Sequence, residues 1–206
     1  MSAVLAEMSP GFRDPVHGAQ QVFRALLDAM ARPGFVRPLP ASALDGIGPP
    51  AAMGIGTAAV MLTLLDTETT ACLAGGMDDA SARAYLRFHC GVRCEASVET
   101  AAFVIARASD VDAALCAALA LGSDEAPQAG ATLVIEVGAL DKGTRLVLQG
   151  PGIETRQALA VTGLPPAFWR WRIALQAEMP RGIDLLLVHG TRIAAIPRST
   201  RIELEA

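Results

Sequence analysis

Reactive side chains are scarce in this sequence, whose 206 residues include three histidines, four cysteines and one lysine, Lys142. The densest group is His89-Cys90 with Cys94, an imidazole and two thiols of the kind that bind zinc. A tetrahedral site needs a fourth donor at matching spacing, and neither a second Cys pair nor a spaced His supplies it. His17 and His189 would have to be delivered by folding, so core thiols beside a polar histidine are the simpler reading. Gly54-Ile55-Gly56-Thr57-Ala58-Ala59 fits the dinucleotide pattern G-x-G-x-x-A, with Asp78 near the place of a ribose-binding acid. That chemistry requires a strand to aim the helix N-terminus at a pyrophosphate, and Gly46 to Met53 is broken by glycines and paired prolines. A glycine-rich helix entry is expected there instead.

No serine or cysteine stands in a nucleophile-elbow pattern, and three histidines leave few general bases. Asp78 and Asp79 are adjacent and would not face one another on a helix, which suits capping better than paired-carboxylate catalysis. Gly150-Pro151-Gly152 can offer backbone donors to an anion but reads first as a tight turn. Arg198 and Arg201, in Arg198-Ser199-Thr200-Arg201, follow an apolar strand ending at Pro197. They stand at a sheet end, either to hold phosphate or an acidic partner, or as protective charges on a solvated edge.

The elements that must position these groups are legible in part. Asp14 caps a helix with Pro15 in its first turn, and Val16, Ala19, Val22, Phe23, Leu26, Leu27 and Met30 recur at helical spacing until Pro33-Gly34. A second helix, Thr57 to Leu65, has almost no polar face and must be enclosed, while being too short to span a membrane. Asp78 or Asp79 starts a short helix through Arg87. Ser109 with Asp112 fits the Ser-x-x-Asp start of one running through Leu119 to Gly122, and Leu164-Pro165-Pro166 leads into one carrying Phe168, Trp171 and Leu175 on a face. Ala101–Ala106, Thr132–Val137, Thr144–Leu148, Ile183–Val188 and Arg192–Ile196 read as strands. The second and third are linked through Asp141-Lys142-Gly143 and the last two through His189-Gly190-Thr191, both short enough for antiparallel hairpins. These elements imply a mixed sheet covered on both faces, a three-layer α/β/α sandwich in a single domain over residues 1–206. Pro38 to Pro50 reads as a long loop, an arm toward a partner.

Apolar residues at 52% and charged residues at 18% exclude a disordered chain. A net charge of −4 argues against nucleic acid, which needs a basic face. Met1 to Pro10 lacks the basic start and apolar run of an export signal, so a cytoplasmic protein with reduced thiols and no membrane association is expected.

Three stretches together resemble the PhnH family of bacterial carbon–phosphorus lyase systems. They are Phe23-Arg24-Ala25-Leu26-Leu27-Asp28-Ala29-Met30 with Pro33-Gly34; Leu62-Thr63-Leu64-Leu65-Asp66 with Thr69; and Gly182-Ile183-Asp184-Leu185-Leu186-Leu187 running into Ala195-Ile196-Pro197-Arg198-Ser199-Thr200. Arg87-Phe88-His89, Ala129-Gly130-Ala131-Thr132-Leu133 and Gly150-Pro151-Gly152-Ile153 add matches in order, with Cys90 standing where the family pattern has Thr. The resemblance implies a fold like the large domain of pyridoxal-phosphate (PLP) dependent transferases without their chemistry. It also implies a homodimer and association with PhnG, PhnI and PhnJ. The function implied is that of a non-catalytic or accessory subunit of the lyase core complex, at the step forming alpha-D-ribose 1-methylphosphonate 5-triphosphate from ATP and phosphonate. The alternative is a subunit whose Arg87, His89 and Arg198 converge on ATP or phosphonate. No cofactor is expected: a Schiff base needs a lysine in a dry pocket, and Lys142 lies in a predicted turn.

Overall fold

The computed structural model describes residues 8–94 and 96–205. Met1 to Glu7, on which most of the expectation about export signals rests, lie outside the described residues. Along the chain run α1 (Pro15–Ala31), β1 (Arg37–Pro38), α2 (Ala41–Leu44), α3 (Ile55–Leu64), β2 (Ala71–Leu73), α4 (Ala80–Cys90), β3 (Phe103–Arg107) and α5 (Ala113–Ala118). Next come β4 (Thr132–Glu136), β5 (Ala139–Gln149), β6 (Gln157–Thr162), α6 (Pro166–Ala174), β7 (Asp184–His189), β8 (Arg192–Ile196) and β9 (Arg201–Leu204).

The main sheet has the order β1-β8-β7-β4-β3-β2. β2, β3, β4 and β7 are parallel, while β8 and β1 run antiparallel to their neighbours, so the sheet is mixed as expected. Its inner strands are apolar on both faces. Ile105, Val134, Leu186, Val188, Ile193 and Ala195 point into one core with residues of α1, α3 and α4. Val104, Ala106, Leu133, Ile135, Leu185, Leu187, Ala194 and Ile196 point into a second. Strand period two thus divides each apolar run between two cores.

Local chemistry sets the helices. The Asp14 carboxylate accepts from the His17 backbone N–H at 3.0 Å with Pro15 at the first helical position, and Val22, Leu26 and Ala29 are buried. In α3 every residue from Gly56 to Met61 is buried, which explains a helix with no polar face. Asp79 caps α4. Among the described residues no helix is long and apolar enough to cross a membrane.

Four expectations are corrected. The layer over the second face is not purely helical: α5 and α6 share it with a separate antiparallel sheet, β6-β5-β9, whose Leu146, Leu148, Leu159, Val161 and Ile202 fill the same core. Asp141-Lys142-Gly143 is not a hairpin turn. It is an irregularity inside the long strand β5, where register against β6 shifts between Asp141 and Thr144. The true exit from β4 is Val137-Gly138, whose amides donate to the Val188 carbonyl at 2.9 Å and the Thr162 carbonyl at 2.9 Å and carry the chain out of the main sheet. A polar Gly-containing triplet signals a break in the ladder, and a bulge satisfies that signal as well as a turn does. Asp112, not Ser109, caps α5, and that helix ends at Ala118. The 38–50 segment is not an arm, because β1 pairs with β8 and Leu39, Ala43, Leu44 and Ile47 are buried.

Leu133, with no solvent exposure in β4, faces the second core, whereas Leu27 on α1 is 52% exposed. Leu133→Ala is expected to lower unfolding free energy by about 2–5 kcal/mol and Leu27→Ala by less than about 0.5 kcal/mol, measured by urea denaturation.

Candidate functional site

Open α/β sheets usually bind ligands at the carboxyl ends of their parallel strands. Here the polar groups at that edge are spent on the chain's own backbone. Glu136, at the end of β4, accepts from the Gly54 N–H and so occupies the N-terminus of α3. Arg107, ending β3, donates through Nη2 to the Ala52 carbonyl at 2.7 Å, and Asp110 accepts from the Gly76 N–H at 2.8 Å. His189, ending β7, has Nδ1 3.1 Å from the Val137 carbonyl and therefore donates there. Gly56 packs α3 against the β7–β8 turn so closely that a Cβ would lie 2.2 Å from the Gly190 carbonyl oxygen. The residues before Gly54 form a turn, not a strand. The dinucleotide-like glycines thus serve helix packing, and a carboxylate stands where a pyrophosphate would. Glu136, Arg107 and Asp110 were not singled out from sequence, because nothing local distinguishes a strand-end charge that caps a distant helix.

At the opposite edge Arg198 lies just beyond β8, beside Asp184 at the start of β7. Its guanidinium makes Nε contacts of 3.3 and 3.2 Å and an Nη2 contact of 2.6 Å to the Asp184 carboxylate, which also accepts from the Arg198 backbone N–H at 2.8 Å. Nη1 donates to the Pro127 carbonyl. Gly130 sits against this knot, where a Cβ would meet the Gly182 carbonyl oxygen at 2.3 Å and Arg198 Nη1 at 2.9 Å. Arg172 of α6, only 1% exposed, donates to the Pro197 carbonyl at 2.8 Å. Burial pushes its pKa down to about 10, with Asp184 opposing the shift and Arg198 adding to it. The Arg198 side chain is therefore committed within the fold, and Arg172 is a buried cation whose role the sequence did not disclose. Arg201 lies on β9 opposite Gln149, exposed.

The remaining candidates sit on α4, which follows β2 at the far end of the sheet order from β8. Ala82, Tyr85 and Leu86 face inward. His89 is half-buried, its ring edge-on to Tyr85 at 4.6 Å and Phe88 at 4.9 Å, and its Nε2 is 2.9 Å from the Ser9 carbonyl. A carbonyl only accepts, so Nε2 carries the proton and His89 helps pin residues 9–11, together with the Tyr85 hydroxyl donating to the Pro10 carbonyl at 3.2 Å. Arg87 points outward, into an open groove of about 650 Å³ lined also by Arg83, Phe88, Arg93 and Cys94. The structure does not bring Arg87 and His89 together with Arg198 or Arg201. Burial pushes the Cys90 thiol up to about 12, helped by Cys94 and Asp66, and the Tyr85 hydroxyl up to about 12. Cys90 directs its thiol at the Met61 carbonyl, 3.8 Å away, while His89 turns to Ser9. Among the described residues no three His, Cys, Asp or Glu side chains gather as a metal site. Lys142 is exposed in the β5 irregularity, with its carbonyl accepting from the Thr162 hydroxyl at 2.7 Å.

The motif segments now have structural roles, and their sequence places them in a lineage. The sequence model described as "Bacterial phosphonate metabolism protein (PhnH)" matches residues 10–203. The chain belongs to the PhnH family. It is 37% identical, across 100% of both chains, to a Rhizobium meliloti (strain 1021) protein named alpha-D-ribose 1-methylphosphonate 5-triphosphate synthase subunit PhnH. It is also 39% identical to HtxG of Stutzerimonas stutzeri, named as a putative C-P lyase subunit protein, over 90% of this chain and 86% of that one. The PhnH stretch Gly182–Leu187 with Ala195–Thr200 contains both partners of the Asp184–Arg198 pair, and the PhnH stretch Ala129–Leu133 contributes the glycine that packs on it.

Asp184→Ala leaves the mostly buried Arg198 uncompensated and is expected to cost about 2–4 kcal/mol in chemical denaturation, toward the lower end of what breaking a buried pair costs. Tyr85 and Cys90 have folded pKa values raised above their ordinary 10.0 and 9.0, so their contribution to stability is complete below pH 9 and lost as pH rises toward about 12. Melting temperature should fall between pH 9 and 11, and Cys90→Ala should flatten the first part of that fall.

Proposed function

We propose that this chain is an accessory, non-catalytic subunit of a carbon–phosphorus lyase core complex. It acts at the step that forms alpha-D-ribose 1-methylphosphonate 5-triphosphate from ATP and a phosphonate, in the cytoplasm, as a single PhnH domain. The observation that carries this reading is the end-to-end match to a protein named as a subunit of that synthase. The geometry supports the accessory role. A catalytic centre needs convergent groups held for substrate, and here Glu136, Arg107, His189 and Arg198 are each engaged by the chain's own backbone or side chains. The likeness to the large domain of pyridoxal-phosphate transferases belongs to the same reading, without the cofactor: an exposed lysine in a strand irregularity lacks the dry pocket that Schiff-base chemistry requires.

PhnG, PhnI and PhnJ are the partners in this reading, together with a second copy of the chain. The apolar helix α3 is interior and offers no interface. Support for a protein contact comes instead from α1, where Val16, Phe23 and Leu27 are 75%, 43% and 52% exposed along its outer side.

Size-exclusion chromatography with multi-angle scattering should give a dimer for the isolated chain, and Phe23→Asp with Leu27→Asp should give a monomer that still folds. Adenine release from ATP and methylphosphonate should be absent with this chain alone and present when PhnG, PhnI and PhnJ are co-expressed with it. Turnover by the isolated chain would overturn the accessory reading.

A further inference from the structure

Among the described residues, the groove on the outer face of α4 is the concavity of this net-negative chain whose walls carry three guanidiniums, Arg83, Arg87 and Arg93, and no carboxylate. Arg83 and Arg87 stand one helical turn apart on the exposed part of α4, turned away from the buried Ala82 and Leu86. Arg93 comes from the segment past the left-handed Gly91 that ends the helix, and lines the groove together with Val92 and Cys94. Arg83 is paired with Asp78 just outside the lining. Arg87 and Arg93 form no ion pair among the described residues, and both are exposed. Phe88 lines the same groove with 52% of its surface open.

A basic residue in a last helical turn complements the helix dipole, which would account for Arg87. It accounts neither for Arg93, beyond the cap, nor for an aromatic ring left open in the same concavity. Clustered guanidiniums repel one another unless an anion is shared between them, and their planar fork of donors matches phosphate oxygens. A volume of about 650 Å³ lies within the usual range for small-molecule sites. An exposed aromatic ring beside the charges supplies a surface for a flat or sugar-like group.

We propose that this groove binds a polyphosphorylated small molecule of nucleotide size, with its phosphates on Arg87 and Arg93 and its remaining body against Phe88. The proposal deepens the phosphonate-activation reading and rests on it for the choice of ATP as a probe. Arg83 stays with Asp78 and borders the site.

Isothermal titration of the full chain with ATP and, separately, with inorganic triphosphate tests it. Both are expected to bind. Arg87→Ala with Arg93→Ala should weaken both at least tenfold, Phe88→Ala should weaken ATP while sparing triphosphate, and Arg201→Ala should change neither. Unchanged melting temperatures would show that each variant is folded. Absence of binding at millimolar ligand, or binding indifferent to Arg87 and Arg93, overturns the site. So does a double variant that binds ATP normally but fails to join the other subunits, since the groove would then be a protein-docking surface. If ATP binding behaves as expected while co-expression yields no complex, the site stands and the subunit reading fails.

Discussion

The architecture depends on three strands that are apolar on both sides. β3, β4 and β7 cannot face water on either surface without exposing a continuous Val/Ile/Leu sheet, so both faces must be covered before the domain is stable. The first half of the chain covers one face with α1, α3 and α4. Covering the second face is left largely to the segments after β4, and the two short helices α5 and α6 are too small for the task. The long strand β5 leaves the main sheet, pairs with β6 and β9, and supplies the missing apolar surface.

Polar groups at the ends of these strands are used to hold the layers in register. Asp184 and Arg198 tie the start of β7 to the exit of β8, and Arg172 reaches the same turn from α6. At the other edge Glu136 joins β4 to α3 and Arg107 joins β3 to the turn before α3. For the mostly buried Asp184–Arg198 pair the match matters most, because a buried polar group left unmatched costs more than a matched one gains.

The surface is uneven. One flank, along α1, shows aliphatic and aromatic side chains, and another, along α4, shows arginines around an open ring. Two PhnH-type relatives of the chain are named as subunits, and exposed patches of this kind are the features by which proteins meet partners. The segments that identify the family mostly serve the interior: Gly130 and Gly182 pack against Arg198, and Leu26 and Ala29 anchor α1. Motif matching in such a protein reports fold before chemistry.

Sequence alone determined whatever depends on neighbours a few residues away. Asp14 and Pro15 start α1, Asp79 starts α4, His189-Gly190-Thr191 joins β7 to β8, and the period-two apolar runs declare a sheet buried on both faces. The lineage, too, was legible, because the packed motifs lie in the same order along the chain. Tertiary structure decided what depends on residues far apart: that Asp141-Lys142-Gly143 bends a strand rather than turning a hairpin, and that a second sheet shares the outer layer. It also paired Arg198 with Asp184 and gave Glu136 a helix end to cap. Such pairings join segments separated by loops whose path no local propensity specifies; a charged residue reads the same in sequence whether its partner is solvent, a distant carboxylate or a ligand.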